Sequence, residues 1–585
     1  MFVGRRLASG LVLACSLVAA QQEVPDATDF RRRAIGAVAV LGDYLYFEGG
    51  EVAQYVNGEQ DVRLSRESNK TLSVSLKSSW SNETIAFTEI DRGDKPHVKD
   101  NTIWADPDGK RLYQWDGQGL FGLPDGAANP KMWSFEPDDG GKGEWAVAQP
   151  ANPSVYNSLV RQVGGASTVC DGKAFSIGGS GTPFSDREFE STSVSVPVPG
   201  MVTVNLANQE WSNRSLSDMA PSYGSYIKGR AACVSGFGDG SYVFTIGGKS
   251  TMPDTTANGE AVSMRNITFW DVKNERWLWQ ETTGDTPKGR WDHCVAGHAS
   301  NSTGNATYEI FVYGGRNNVD KNLDDVWILS LPAFHWTRVN ISSPPRYYQS
   351  CAVIGEGQII SSGGYTSAGW VTDDPWVNGI GVFDLASLEW ATEFDAGVEE
   401  YRPAKAVREW YDGEGMGGME WSSKEVEDVF ASKTGDSNGN GEDGEEGGSS
   451  SDADSQGSST PVGAIVGGVV GGVAIIALAI AGFFFWRRRS RRQNATELNG
   501  ATTGQPGYQH VAGSPNSSSP SHPAHGYYTP GEGQHQQYYE YKPGEGNVQM
   551  YSTELGAGQT VVRSELDGGS APSELHGSTI GGSQR

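Results

Sequence analysis

The chain has 585 residues, with 45 basic and 71 acidic side chains and a formal net charge of −26. An acidic balance of that size excludes nucleic acid as a partner, because binding it needs a basic face. Five cysteines with no C-x-x-C spacing argue against a metal cluster.

Residues 1–20 open on Arg5-Arg6, run through the apolar Leu11–Val18 and end on Ala19-Ala20. A basic start, a short apolar core and small residues before Gln21 mark a secretory leader, too short to span a bilayer as a mature helix. A lumenal fate agrees with Asn-x-Ser/Thr acceptors at Asn69, Asn82, Asn213, Asn266, Asn301, Asn305 and Asn340, all expected to carry glycan.

From 31 to 397 one phrase recurs six times, and such a period governs how the chain is read. Its clearest copy is Phe311-Val-Tyr-Gly314-Gly315, then Asp325-Val-Trp-Ile-Leu-Ser-Leu331, then Trp336. Gly-Gly pairs also fall at Gly49, Gly178, Gly247 and Gly363, and unit two carries a degenerate form ending at Gly117. Closing tryptophans stand at Trp80, Trp145, Trp211, Trp277, Trp336 and Trp390. The apolar run before each pair suits a packed strand. The glycines permit positive φ and close backbone approach, and the tryptophan packs between units. Arg230, Arg290 and Arg346 begin a further short strand upstream of three of the pairs.

This combination resembles the kelch repeat over roughly residues 31–397. Units three to six match it well, unit one moderately and unit two poorly. The resemblance implies an all-β fold, a six-bladed β-propeller whose first strands surround the axis. Cys170, Cys233, Cys294 and Cys351 all lie on first strands and so crowd together. In an oxidising compartment they can form disulfides in any of three pairings. Strand alternation would turn Cys294 away from Cys233 and Cys351, and buried free thiols are the competing reading.

Kelch-type propellers include radical copper oxidases such as galactose oxidase, whose sites need two histidines and two tyrosines around copper. The lumenal histidines here are His97, His293, His298 and His335, with no His-His pair. Nor is there an H-E-x-x-H motif, a phosphate loop or a nucleophile elbow with partners. The chain therefore reads as non-enzymatic, with no cofactor and no metal; a membrane-tethered oxidoreductase of that type is the alternative.

Residues 398–433 break the repeat and read as a closing strand or a cap. Residues 434–460 carry seven acids and no base and read as a solvated stalk. Val462–Trp486 is 25 residues without a charge, enough to cross a bilayer as one transmembrane α-helix. Arg487, Arg488 and Arg489 follow at once, placing the C-terminus in the cytosol. Gly463, Gly467 and Gly471 give that helix a small-residue face on which two copies can pair as a homodimer. Residues 487–585, rich in Gly, Ser, Gln, Pro and Tyr, read as a disordered tail.

The expectation is a type I single-pass protein, most naturally of the plasma membrane, displaying a propeller that binds an unknown protein or glycan. A structural tether between wall and membrane is a further alternative. The loops after the Gly-Gly pairs are the long ones, and long loops and exposed aromatics point to recognition. The candidate ligand-binding residues are Phe184 and Phe189 in Ser180–Gly200, and Trp370, Asp373, Asp374 and Trp376 in Tyr365–Gly379.

Overall fold

The computed structural model describes residues 24–61, 63–120, 122–123, 131–219, 225–250, 259–300 and 307–431. Within them the repeat builds six antiparallel sheets in chain order, each with a four-stranded core. Their first strands are Ala37–Leu41, Trp104–Ala105, Ala166–Cys170, Arg230–Phe237, Cys294–Ser300 and Ser350–Ile354. Each first strand neighbours the next, and Ser350–Ile354 neighbours Ala37–Leu41, so the sheets form a ring. Apolar clusters fill the spaces between neighbouring sheets, as in the set that joins Phe244 and Phe269 to Leu329 and Trp336.

The Gly-Gly pairs bond one sheet to the next. The N–H of Gly315 donates to Arg346 O at 2.8 Å, at the entrance of the following sheet. A Cβ on Gly314, whose φ is +67°, would stand 2.5 Å from that same oxygen, so no side chain fits. The same donation runs from Gly50 to Val98, Gly117 to Gln162, Gly179 to Tyr226, Gly248 to Arg290 and Gly364 to Arg33. Gly117, in the degenerate second unit, thus does the work of a full pair.

A clasp closes the ring. Glu393–Phe394 pairs with Trp80–Ser81, joining the end of the repeat to its start. Asn82 is at the centre of the clasp. It is 2% exposed, its Nδ2 donates to Ile380 O at 2.9 Å, and its own carbonyl accepts from Asn378 Nδ2 at 2.8 Å. This corrects the expectation of glycan at Asn82, since the nitrogen that would carry it is buried and committed. Asn69, Asn213, Asn266 and Asn340 are exposed.

The cysteines pair between neighbouring first strands, Cys170 with Cys233 and Cys294 with Cys351, with Cα separations of 5.2 and 5.6 Å. Cys294 therefore faces Cys351, against the alternation argument. Cys294 is the first residue of its strand and Cys351 the second of its own, so partners on neighbouring strands of the ring meet from positions of opposite parity.

Residues 398–431 form a cap of helices, while the closing strand is Glu393–Phe394 within the repeat. Tyr401 and Val407, the latter from the helix Lys405–Gly413, pack between the fifth and sixth sheets. Val426 and Phe430, from the helix Lys424–Phe430, pack between the fourth and fifth. The Ser423 side chain caps that second helix by accepting from Val426 N. Among the described residues no helix is long and apolar enough to cross a membrane. The leader at 1–20, the stalk at 434–460, Val462–Trp486 with Gly463, Gly467 and Gly471, the tail, Asn301 and Asn305 all lie outside those residues.

Beneath the cap Glu309 is fully buried, and no donor meets its carboxylate oxygens at good hydrogen-bond distance and angle, the Thr307 and Tyr401 hydroxyls making looser contact. Burial pushes its pKa up to about 8, opposed by the Thr307 and Tyr401 hydroxyls. The folded state therefore holds this proton more tightly than the unfolded chain does. The stability that goes with the protonated acid is complete below about pH 4.5 and is lost as pH rises through about 8. Glu309→Gln, neutral at every pH, should remove that loss, seen as a flatter unfolding midpoint across this window by tryptophan fluorescence.

Candidate functional site

The strand order puts two kinds of connection at opposite ends of each sheet. The tight turns, such as Gly238–Asp239, lie at one end, with the cap helices over part of them. The loops after the Gly-Gly pairs lie at the other end. There the residue just before each first strand's entrance bridges to the residue just after the Gly-Gly pair: Val163 to Ser180, Ile227 to Lys249, Trp291 to Arg316 and Tyr347 to Tyr365. These bridges hold the loop bases against the ring.

Next to them runs an inner circle of six left-handed residues, Ile35, Asp100, Gly164, Lys228, Asp292 and Tyr348, with φ between +53° and +62°. Main-chain bonds link them in a chain: Lys228 N to Gly164 O, Asp292 N to Lys228 O, Tyr348 N to Asp292 O, Ile35 N to Tyr348 O and Asp100 N to Ile35 O, at 2.5 to 3.1 Å. A β-branched Ile35 rarely adopts such a φ, and here the bonds on both sides impose it.

Charge and aromatic rings gather on this circle. Arg316 donates to Asp292 Oδ2 from Nε at 2.9 Å and Nη2 at 2.8 Å. The Tyr348 hydroxyl accepts from Lys228 Nζ at 2.8 Å and from Arg316 at 3.1 Å. Burial alone would raise the Asp292 pKa, but Lys228 and Arg316 outweigh it and hold the carboxylate below its usual range. The Arg316 guanidinium also covers the Tyr347 ring at 4.3 Å, and Lys249 Nζ sits 3.9 Å over Trp291. Lys249 has weaker compensation: burial, and then Lys228, push it down to about 8.

Outward from this centre Tyr347 packs on Tyr365 at 5.0 Å, and Tyr365 on Trp370 at 5.3 Å. Val319 is 84% exposed and Val371 53%. The loops that carry them are tied together, Asn322 Oδ1 accepting from Ser367 N at 2.7 Å. The result is a fixed surface with a charged, aromatic centre and an exposed apolar edge. Such a surface has the anchors of a protein contact.

The six predicted residues divide between surface and support. Asp373 is exposed and pairs with Arg31 at 2.9 Å, and Trp370 is half-buried against Tyr365. Asp374 and Trp376 serve as support. The Asp374 carboxylate is buried in ion pairs with Arg346 at 3.1 Å and Arg32 at 3.7 Å. Trp376 is turned inward, with the Arg346 guanidinium 3.9 Å from its ring, Trp390 at 4.7 Å, and its six-membered edge against Gly381, where a Cβ would clash. Phe184 and Phe189 are half-buried, the Phe189 ring filling the space over Gly181. Sequence reading missed Lys228, Asp292, Arg316 and the Tyr347-Tyr348 pair. Their available signal was the spacing of 64 residues that relates Asp100, Gly164, Lys228 and Asp292.

His97, His293, His298 and His335 each join a different packing contact. His97 Nε2 lies 2.7 Å from Gly50 O, His293 is fully buried, His298 lies against Tyr401 and His335 stacks on Trp410. Among the described residues no three His, Cys, Asp or Glu side chains are grouped to hold a metal.

Residues 257–431 match the KLHDC2/KLHL20/DRC7 Kelch-repeats domain family. A "Kelch repeat-containing protein" of Arthroderma benhamiae is 25% identical over 439 residues, 67% of this chain and 61% of the relative. "Kelch domain-containing protein 3" of Homo sapiens and of Bos taurus are each 24% identical over 128 residues, 21% of this chain and 31% of the relative. The chain thus spans about three fifths of the first of these relatives and about a third of the others. It carries kelch repeats, in keeping with a kelch-repeat family.

Trp376→Ala should cost about 3 kcal/mol of stability, the range for removing a large packed aromatic. Trp370→Ala, which removes a half-buried ring packed on Tyr365, should cost less, about 1 kcal/mol. Denaturant unfolding of the two variants checks the difference.

Proposed function

We propose that this chain is a non-enzymatic, six-bladed propeller that binds a protein partner through the loop face, displayed by a single-pass membrane protein. The observation that carries the reading is the exposed Val319 and Val371 edge, with the half-buried Trp370 beside it, around the Arg316–Asp292–Tyr348 centre. Kelch repeats as a class fit a protein-binding role. Rigid loops reduce the ordering entropy lost on binding, which favours affinity. The test is site-specific photo-crosslinking. A crosslinker at Val319 or Val371 should trap one discrete partner, whereas one at Asp239, in a tight turn at the opposite end, should not. Equal trapping at Asp239 moves the contact off this face.

The display rests on sequence. An uncharged 25-residue stretch, Val462–Trp486, meets an arginine run, and a leader-like segment precedes the repeats. In this reading glycans occupy exposed acceptors such as Asn69 and Asn340, and Gly463, Gly467 and Gly471 pair two copies. Protease added outside intact cells should remove the repeats and spare an epitope at Arg585. Loss of the epitope with the repeats protected reverses the orientation.

A further inference from the structure

Arg33, Arg290 and Arg346 hold the same place in the first, fifth and sixth sheets. Each precedes a left-handed residue by two positions, and each main-chain oxygen accepts from the second glycine of the preceding sheet's pair. Arg290 and Arg346 are satisfied alike. Arg290 is fully buried, donates to Gly314 O at 3.1 Å, and takes both oxygens of Asp325 at 2.6 and 2.9 Å. Arg346 is 1% exposed, donates to Gly363 O at 2.7 Å, and takes both oxygens of Asp374 at 3.4 and 3.1 Å.

Arg33 has no such partner. Among the described residues no hydrogen bond or ion pair reaches its guanidinium, and its Nε is buried without an acceptor. The group lies instead 5.3 to 5.6 Å from the rings of Phe30, Phe47 and Phe87. The reason is in the register. Asp325 stands opposite Gly314, whose N–H donates to Asp325 O. Phe47 pairs with Leu72, and two residues further on the same register sets Lys70 opposite Gly49. Lys70 pairs outward with Asp91. The first sheet therefore has a cation where the fifth has its carboxylate.

A cavity of about 40 Å³ adjoins Arg33, walled also by Gly36, Phe47, Gly49, Ser350 and Ser362. That is space for a few water-sized groups. Glu48 and Glu51 reach the wall but are already neutralised. Glu48 pairs with Lys95 at 2.6 Å and Arg92 at 2.9 Å, and Glu51 with Lys99 at 2.7 Å. The uncompensated charge at the cavity is that of Arg33, whose pKa burial pushes down to about 10 against the opposing pull of Asp374. A carboxylate entering here would restore the forked pairing that the sister arginines have.

We propose that Arg33 and this cavity form a binding site for a small carboxylate anion, which completes in trans the pairing that Asp325 and Asp374 complete within the chain. Acetate is the probe, exchanged for chloride at fixed ionic strength near neutral pH on the full-length chain. The thermal unfolding midpoint should rise saturably with acetate. In Arg33→Met, which keeps an apolar stem against the phenylalanines, the rise should vanish. In Arg33→Lys, which keeps the charge but not the fork, it should fall by roughly half. Arg290 and Arg346 remain in both variants, so a general effect of carboxylates would persist there. An equal response in all three proteins, or none in the parent, overturns the site. If Arg33→Met does not fold, the comparison with Arg33→Lys decides.

Discussion

One repeated contact organises the molecule: a glycine N–H at the end of the second strand, donated to the carbonyl at the entrance of the next sheet. Each such bond contributes on the order of 1 kcal/mol net. Their larger effect is geometric. The donor has to approach so closely that any Cβ on the preceding glycine would collide with the acceptor, as at Gly314 or Gly178. The last donation, from Gly364 to Arg33, returns to the first sheet, so the constraint is cyclic. A cyclic constraint leaves no free sheet edge at the axis and fixes the loop bases to one another.

The inner circle of left-handed residues depends on that closure. A backbone in the left-handed region is costly for Ile35 and Tyr348 alone, and the surrounding bonds must hold it. Once held, these positions put Lys228, Asp292 and Tyr348 at adjacent points of one circle, close enough for Arg316 to join them. The charge centre of the loop face is therefore a product of the ring's closure. The cap works differently, filling the seams between the fourth, fifth and sixth sheets with Phe430, Val426, Tyr401 and Val407, and at Glu309 it buries a carboxyl that must stay protonated to be comfortable there.

The arginines before the first strands illustrate how a repeat diverges. In two sheets a loop aspartate answers the guanidinium. In the first sheet the position opposite the glycine is Lys70, and Arg33 turns to phenylalanine rings. A guanidinium with a buried Nε and no carboxylate is expensive to retain, and the half-buried Arg33 lies beside a cavity while its two sisters are filled by their own chain.

Much of the fold was legible in the sequence because it rests on local rules. Alternating strands, glycine pairs and closing tryptophans recur with a period that any one unit would hide, and even the weak second unit folds as the others do. The long loops were legible for the same reason. Which loop side chains serve as support was not, because Trp370 and Trp376 stand in the same loop and differ in what lies beneath: Tyr365 in one case, Gly381 and Arg346 in the other. Asn82 carries a sequon that reads as surface, yet the ring's closure buries it. Cysteine pairing and the Lys228–Asp292–Arg316 centre unite residues tens of positions apart, and no local pattern encodes their angular placement around an axis. The sequence by itself determined the all-β character, the strands and the turns. Only the tertiary structure decided which side chains meet, because that depends on how far each sheet is rotated from its neighbour when the ring closes.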